Sequence, residues 1–138
     1  MPQEAGDFFK NLAPDNYLHK FSEKDAYAQL IDCYRMRAED DYKFAGDARG
    51  LYKGEDPLSD FQEFLDLAEK RTGLLPRWWK REKREACERL AVDGTQWSDI
   101  NRKVEKKDVI ERYGDNVMPM KLRVLAEKIY GKKIDMGY

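Results

Sequence analysis

Apolar residues recur at helical spacing along most of the chain, and strand-like alternation is scarce. Tyr27, Leu30, Ile31, Tyr34 and Ala38 follow the i, i+3, i+4 rule and predict a helix with one inward face over about 23–42. Ser22 with Asp25 suits its start, a capping box in which Asp replaces the usual Glu. Phe61, Phe64, Leu65 and Ala68 form a second stripe. Ser59 with Gln62 is its predicted capping box and Gly73 its predicted C-cap. Pro76 fits the first turn of a third helix, where a missing N–H costs nothing, with Trp78, Ala86, Cys87, Leu90 and Ala91 facing inward until Asp93 and Gly94. A short turn around Trp97–Asn101 follows, then a helix from Asp108 to Tyr113 closed by Gly114. Pro119 opens a last helix carrying Leu122, Leu125, Ala126 and Ile129, stopped by Gly131. Gly46, Gly50 and Gly54 punctuate the loop between the first two helices. The expected fold is all-α: a lead-in over 1–16, one compact domain of five or six short helices over 17–131 with a Gly-rich loop near residue 50, and a tail over 132–138.

Composition supports a packed domain. The chain has 138 residues, 41% hydrophobic and 38% charged, with 6 Phe, 8 Tyr and 3 Trp to anchor a core. No apolar run approaches the roughly 20 residues of a membrane helix. The opening stretch Met1–Pro14 carries Glu4 and Asp7 without an apolar core, which argues against a signal peptide. Two cysteines, Cys33 and Cys87, and one histidine, His19, fit neither a disulfide framework nor a structural zinc site, so no metal and no cofactor is expected. The net charge of −1 hides an asymmetry: residues 1–75 hold 10 Lys/Arg against 16 Asp/Glu, and residues 76–138 hold 16 against 11. Mutual packing of the halves is the ordinary explanation, and a basic half facing an anionic partner is the sharper one.

Three segments could carry chemistry. The loop Gly46–Gly54 has glycines four apart but leads into Glu55 and Asp56, which would repel phosphate, so a turn-rich connection is expected. Glu39, Asp40 and Asp41 crowd a helix end where the macrodipole disfavours negative charge, with Arg35 and Arg37 as local partners. Adjacent carboxylates can hold a metal, or act as acid and base with Tyr42 or His19. The expectation is instead structural: at least two of Glu39, Asp40, Asp41 and Asp115 accept hydrogen bonds from backbone, Arg or Lys within the domain. Arg77–Arg84 sets five basic residues around Trp78 and Trp79, the groups that grip single-stranded nucleic acid. Glu82, Glu85 and Glu88 interleave, however, making i, i+4 pairs with Arg81 and Arg84. Adjacent tryptophans on a helix point about 100° apart, so one can enter the core while the other anchors a partner.

The leading expectation is a non-enzymatic protein–protein interaction module using Arg77, Trp79, Lys80, Arg81 and Arg84. The alternative is RNA binding by the basic half, through Lys80, Arg81, Lys83, Arg84, Arg102, Lys103, Lys106 and Lys107. A small-molecule enzyme built on Glu39, Asp40 and Asp41 ranks last.

Six segments carry a family resemblance: Leu30–Tyr42 (LIDCYRMRAEDDY), Gly73–Trp79 (GLLPRWW), Gln96–Ile100 (QWSDI), Val104–Lys106 (VEK), Tyr113–Asp115 (YGD) and Met118–Arg123 (MPMKLR). In that order, over about 17–131, they resemble the helical region that follows the finger in filamentous-fungal MYND-type zinc-finger proteins. The MYND finger is a Cys/His zinc module that binds short peptides. This chain lacks its ligands, so zinc and peptide binding do not carry over. Arg77 stands where the family leads us to expect a second proline or another neutral residue, and Asn101–Arg102–Lys103 is more basic than usual. The resemblance implies an intracellular fungal protein, cytoplasmic or nuclear.

Overall fold

The computed structural model describes residues 11–131; most of the expected lead-in and all of the expected tail lie outside the described residues. Its centre is α1 (Glu23–Ala45), capped at Ser22, whose hydroxyl accepts the Asp25 N–H at 3.3 Å. The helix runs three residues past its expected end, to Gly46 in the left-handed conformation. Every residue from Gln29 to Ala38 is buried, so α1 has no solvent face over its middle. The expected one-sided amphipathic helix is thus corrected. Four other parts of the chain surround α1: α5 (Met118–Tyr130), α3 (Arg81–Ala91) and the 3₁₀ turns Tyr17–Lys20 and Gly50–Lys53. α2 (Leu58–Lys70) packs on α5 and α3, and α4 (Lys106–Tyr113) packs on α5. The result is one compact all-helical domain with five α-helices and no strand among the described residues.

The core joins Leu30, Ile31 and Met36 of α1 to Phe61, Phe64 and Leu65 of α2 and to Leu122, Leu125 and Ile129 of α5. Each fully buried side chain of this size contributes on the order of 1.5–3 kcal/mol. Cys87 and Ala91 enter the same core from α3, and Ala13 and Leu18 from the chain before α1.

Three predicted boundaries move. Ser59 is not a cap: α2 starts at Leu58, because Pro57 already holds φ at −75° and Asp56 Oδ1 takes the Leu58 N–H at 3.0 Å. Gln62 points away from any capping box and donates to Glu88 Oε1 at 2.7 Å. Gly73 does not end α2, which stops at Lys70; it bends the following turn at φ +77°. Pro76 does not open a helix either. The Trp79 N–H closes one turn on the Pro76 carbonyl at 3.0 Å, Lys80 is extended, and α3 begins at Arg81. Trp78 and Trp79 therefore lie in a loop, and the helical 100° argument does not apply to them.

The expected last helix appears as α5, with Pro119 in its first turn and Gly131 beyond its end. α4 starts two residues early, where Asp108 Oδ2 accepts the Glu105 N–H at 2.9 Å. Gly50 has no substitute: at φ +53° an added Cβ would come within 2.8 Å of the Tyr34 hydroxyl.

Candidate functional site

The carboxylates at the end of α1 have partners inside the domain. Asp40 receives Arg123 of α5 through two bonds, at 2.9 and 3.0 Å, a fork that ties α1 to α5. Asp41 accepts from Arg37 at 3.0 Å and pairs with Arg49 at 2.9 Å. Glu39 accepts from the Tyr52 hydroxyl. Asp115 accepts the Val117 N–H at 2.9 Å and the Lys121 ammonium at 2.8 Å, which together hold its carboxyl below the usual range. Arg35, expected to serve this cluster, turns instead to Asp32 at 2.9 Å.

Asp32 is the group that the sequence reading passed over. It is fully buried and receives Arg35 Nη1, the Ser98 hydroxyl at 2.9 Å and the Tyr113 hydroxyl. Burial pushes its carboxyl above the usual range despite these donors. The i, i+3 spacing of Asp32 and Arg35 was a usable signal. Ser98 and Tyr113, 66 and 81 residues away, were not.

Burial also raises the thiols of Cys33 and Cys87, so neither is a ready nucleophile. His19 is exposed and donates Nε2–H to the Gly73 carbonyl at 2.8 Å. Among the described residues no group of His, Cys, Asp and Glu is placed to hold a metal ion, and no helix is long and apolar enough to cross a membrane.

The Arg77–Arg84 segment is largely neutralised by its own surroundings. Arg84 donates to Asp66 at 2.7 Å, Glu69 at 2.8 Å, Glu88 at 3.0 Å and the Gln62 carbonyl at 3.0 Å, and so clamps α3 to α2. Lys83 pairs with Glu23 at 2.8 Å, Lys80 with Glu82 at 3.2 Å and Arg81 with Glu85 at 3.8 Å. Both indoles are half-buried edge-on to Tyr27, and Trp79 Nε1–H donates to Glu69 at 2.9 Å. Arg77 and Arg81 remain outward, Arg81 with its side chain 93% exposed.

A different basic surface forms at the other end of α1. Glu23, the partner of Lys83, and Glu39, the partner of Tyr52, are separated by about 24 Å of helix. The basic residues named together for RNA binding are thereby split: Lys80, Arg81, Lys83 and Arg84 at one end, Arg102 and Lys103 at the other. At that far end, Tyr42 (51% exposed) lies 5.0 Å ring to ring from Tyr52. The Lys103 ammonium sits 4.9 Å over the Tyr52 ring. Arg35, Arg102 and Lys103 line both the notch beside Tyr52 and a cleft of about 470 Å³ beside Trp97. Arg35 and Arg112 lie over the Trp97 ring, at 4.7 and 5.4 Å.

Lys103 and Arg112 make no ion pair among the described residues, and neither do nearby Lys43, 5.9 Å over Phe44, and Lys106. Arg102 is exposed and only loosely paired, with Asp99 at 3.5 Å; Lys107 reaches Glu105 at 3.8 Å. The strip Tyr42–Tyr52–Lys103–Arg102–Trp97–Arg112 thus combines three rings with three cations from four separated segments. Tyr42, Tyr52, Trp97, Arg35 and Arg112 were not among the binding residues expected from the sequence.

No family model, curated protein or solved structure matches the chain.

Proposed function

We propose that this domain is a non-enzymatic binding module whose main surface takes a single strand of RNA along Tyr42, Tyr52, Lys103, Arg102, Trp97 and Arg112. The observation that carries the reading is the placement over aromatic rings of cations that make no ion pair among the described residues, Lys103 on Tyr52 and Arg112 on Trp97. A base of any identity can stack on the exposed Tyr42 ring, and the cations held over the half-buried Tyr52 and Trp97 rings are available to the phosphates that follow. Tyr42 offers the most open ring, and it lies beside Tyr52, over which Lys103 sits. The resemblance to the helical region of fungal MYND-type proteins belongs to the same proposal, with the cytoplasm or nucleus as the location. The acid–base reading of Glu39, Asp40 and Asp41 is not carried forward, because each carboxylate is occupied by donors of the domain.

The test is fluorescence anisotropy with a labelled single-stranded RNA 12-mer at about 50 and 200 mM salt, the range over which counterion release weakens phosphate contacts steeply. Binding that falls with salt, is weakened by Lys103→Gln and is untouched by Lys80→Gln supports the reading. No binding at the lower salt, or equal losses in both variants, overturns it.

A second reading rests on Arg77 and Arg81, which stay outward beside half-exposed Trp79: an acidic protein docks there. Affinity capture with wild type and Trp79→Ala separates the two surfaces. Identical partner sets from both proteins would sink this reading.

A further inference from the structure

We infer that the cleft beside Trp97 is a seat for the terminal phosphate monoester of the bound strand; this rests on the single-strand reading above and goes beyond it. The strip ends in this cleft. Its lining combines Arg35, Arg102, Lys103 and Arg112 with Asp108 and Glu111, around a volume of about 470 Å³. A diester within the strand carries one negative charge. A terminal monoester carries about −1.5 to −2 and offers three acceptor oxygens, so it gains most where several donors converge.

Arg35 makes this cleft different from an ordinary surface of mobile lysines. Its side chain is only 5% exposed, yet it lines the cleft. Nε donates to the Arg102 carbonyl at 3.2 Å, and Nη1 donates to Asp32 at 2.9 Å and to the Trp97 carbonyl at 3.1 Å. Nη2 makes none of these bonds. The guanidinium is fixed before any ligand arrives, because Asp32 is itself held by Ser98 and Tyr113. A donor already fixed loses little freedom on binding. Arg102, Lys103 and Arg112 stand around it with exposed heads.

Asp108 and Glu111 share the lining of the cleft, on α4 with Arg112, and the Asp108 carboxylate accepts the Glu105 N–H. Four cations against two carboxylates leave the lining net positive. That excess favours the second charge of a monoester over the single charge of a diester.

The experiment compares three RNA 10-mers of one sequence by competition anisotropy with the full chain at about 50 mM salt: both ends hydroxyl, 5′-phosphate, and 3′-phosphate. The expected result is that one phosphorylated form binds about tenfold more tightly than the hydroxyl form, the gain of one strong charge-assisted contact. Inorganic phosphate should erase that advantage. Arg112→Gln should bring the ratio towards one, and circular dichroism checks its folding. Arg35→Ala is a poor probe because it strands Asp32 in the core. Equal binding of all three RNAs overturns the terminal-phosphate seat and leaves the single-strand reading standing. Binding of none overturns both. A tenfold ratio that survives Arg112→Gln and Lys103→Gln alike places the phosphate elsewhere and also overturns the inference.

Discussion

The two basic regions of this domain contrast in how their charge is spent. Between Arg77 and Arg84 the cations are contiguous in sequence and face carboxylates of α1, α2 and α3; Arg84 alone meets three of them. Along Tyr42, Tyr52, Lys103 and Arg112 the cations come from separate segments and face rings. A dense run of Lys and Arg interleaved with Glu at helical spacing tends to neutralise itself and to join helices. The sparse set, brought together by folding and laid on aromatic faces, is left with Lys103 and Arg112 outside any ion pair among the described residues. On the proposed reading, the fraction left unpaired is a better guide to a binding surface than local charge density.

The comparison can be broken at its foundations first. Asp32→Ala leaves Arg35 buried without its counter-charge and strips acceptors from Ser98 and Tyr113. Removing one partner of a buried pair costs about 3–5 kcal/mol, so chemical denaturation should show a loss of that size. A loss below about 1 kcal/mol, the range of a surface pair, would mean that Asp32 does not support the strip. Next comes Arg84→Ala, which frees α3 from α2 and should cost about 2 kcal/mol, as expected for partly buried charge-assisted bonds. RNA affinity should stay unchanged. Lost affinity with retained stability would reverse the roles assigned to the two regions.

Tyr42→Ala sharpens the other side. It removes an exposed ring, so the melting temperature should barely move while RNA affinity falls by about 1 kcal/mol, the lower end for one stacked base. The smallest effect is electrostatic. Lys121 and the Val117 N–H hold the Asp115 carboxyl below its unfolded value, so Asp115 stabilises the fold above about pH 4, the ordinary carboxylate range, and loses that contribution as pH falls through the lower folded value. Asp115→Asn should flatten stability against pH on the acid side, read by thermal melts between about pH 2 and 5, which brackets that range. RNA binding at neutral pH should not change.

Much of the fold was legible because apolar periodicity records which residues meet the core. The stripes at Phe61–Ala68 and Leu122–Ile129 led directly to α2 and α5. The same signal placed α1 but not its full burial, since a helix enclosed on all sides buries polar positions too. Asp32, Arg35, Arg37 and Asp40 look solvent-facing until their partners are known. Turn residues misled where two outcomes share one composition: Pro76 suits a first helical turn and equally the one-turn loop that it forms. Among the candidate site residues, Arg102 and Lys103 were named as basic, and their neighbours were not. Tyr42, Tyr52, Trp97 and Arg112 are brought together by tertiary packing, and no window of sequence contains them.

The fork between Asp40 and Arg123 has a consequence for how this chain can change through descent. The two residues stand 83 positions apart, and Asp40 is enclosed at the junction of α1 and α5. A lineage that loses either one first passes through a folded state with an unanswered buried charge, so substitutions there should be inherited together or not at all. Among relatives, positions 40 and 123 should change as a couple, while Lys103 and Tyr42 should change independently of them. Correlated change at a distance would then trace the architecture, and independent change would trace the function.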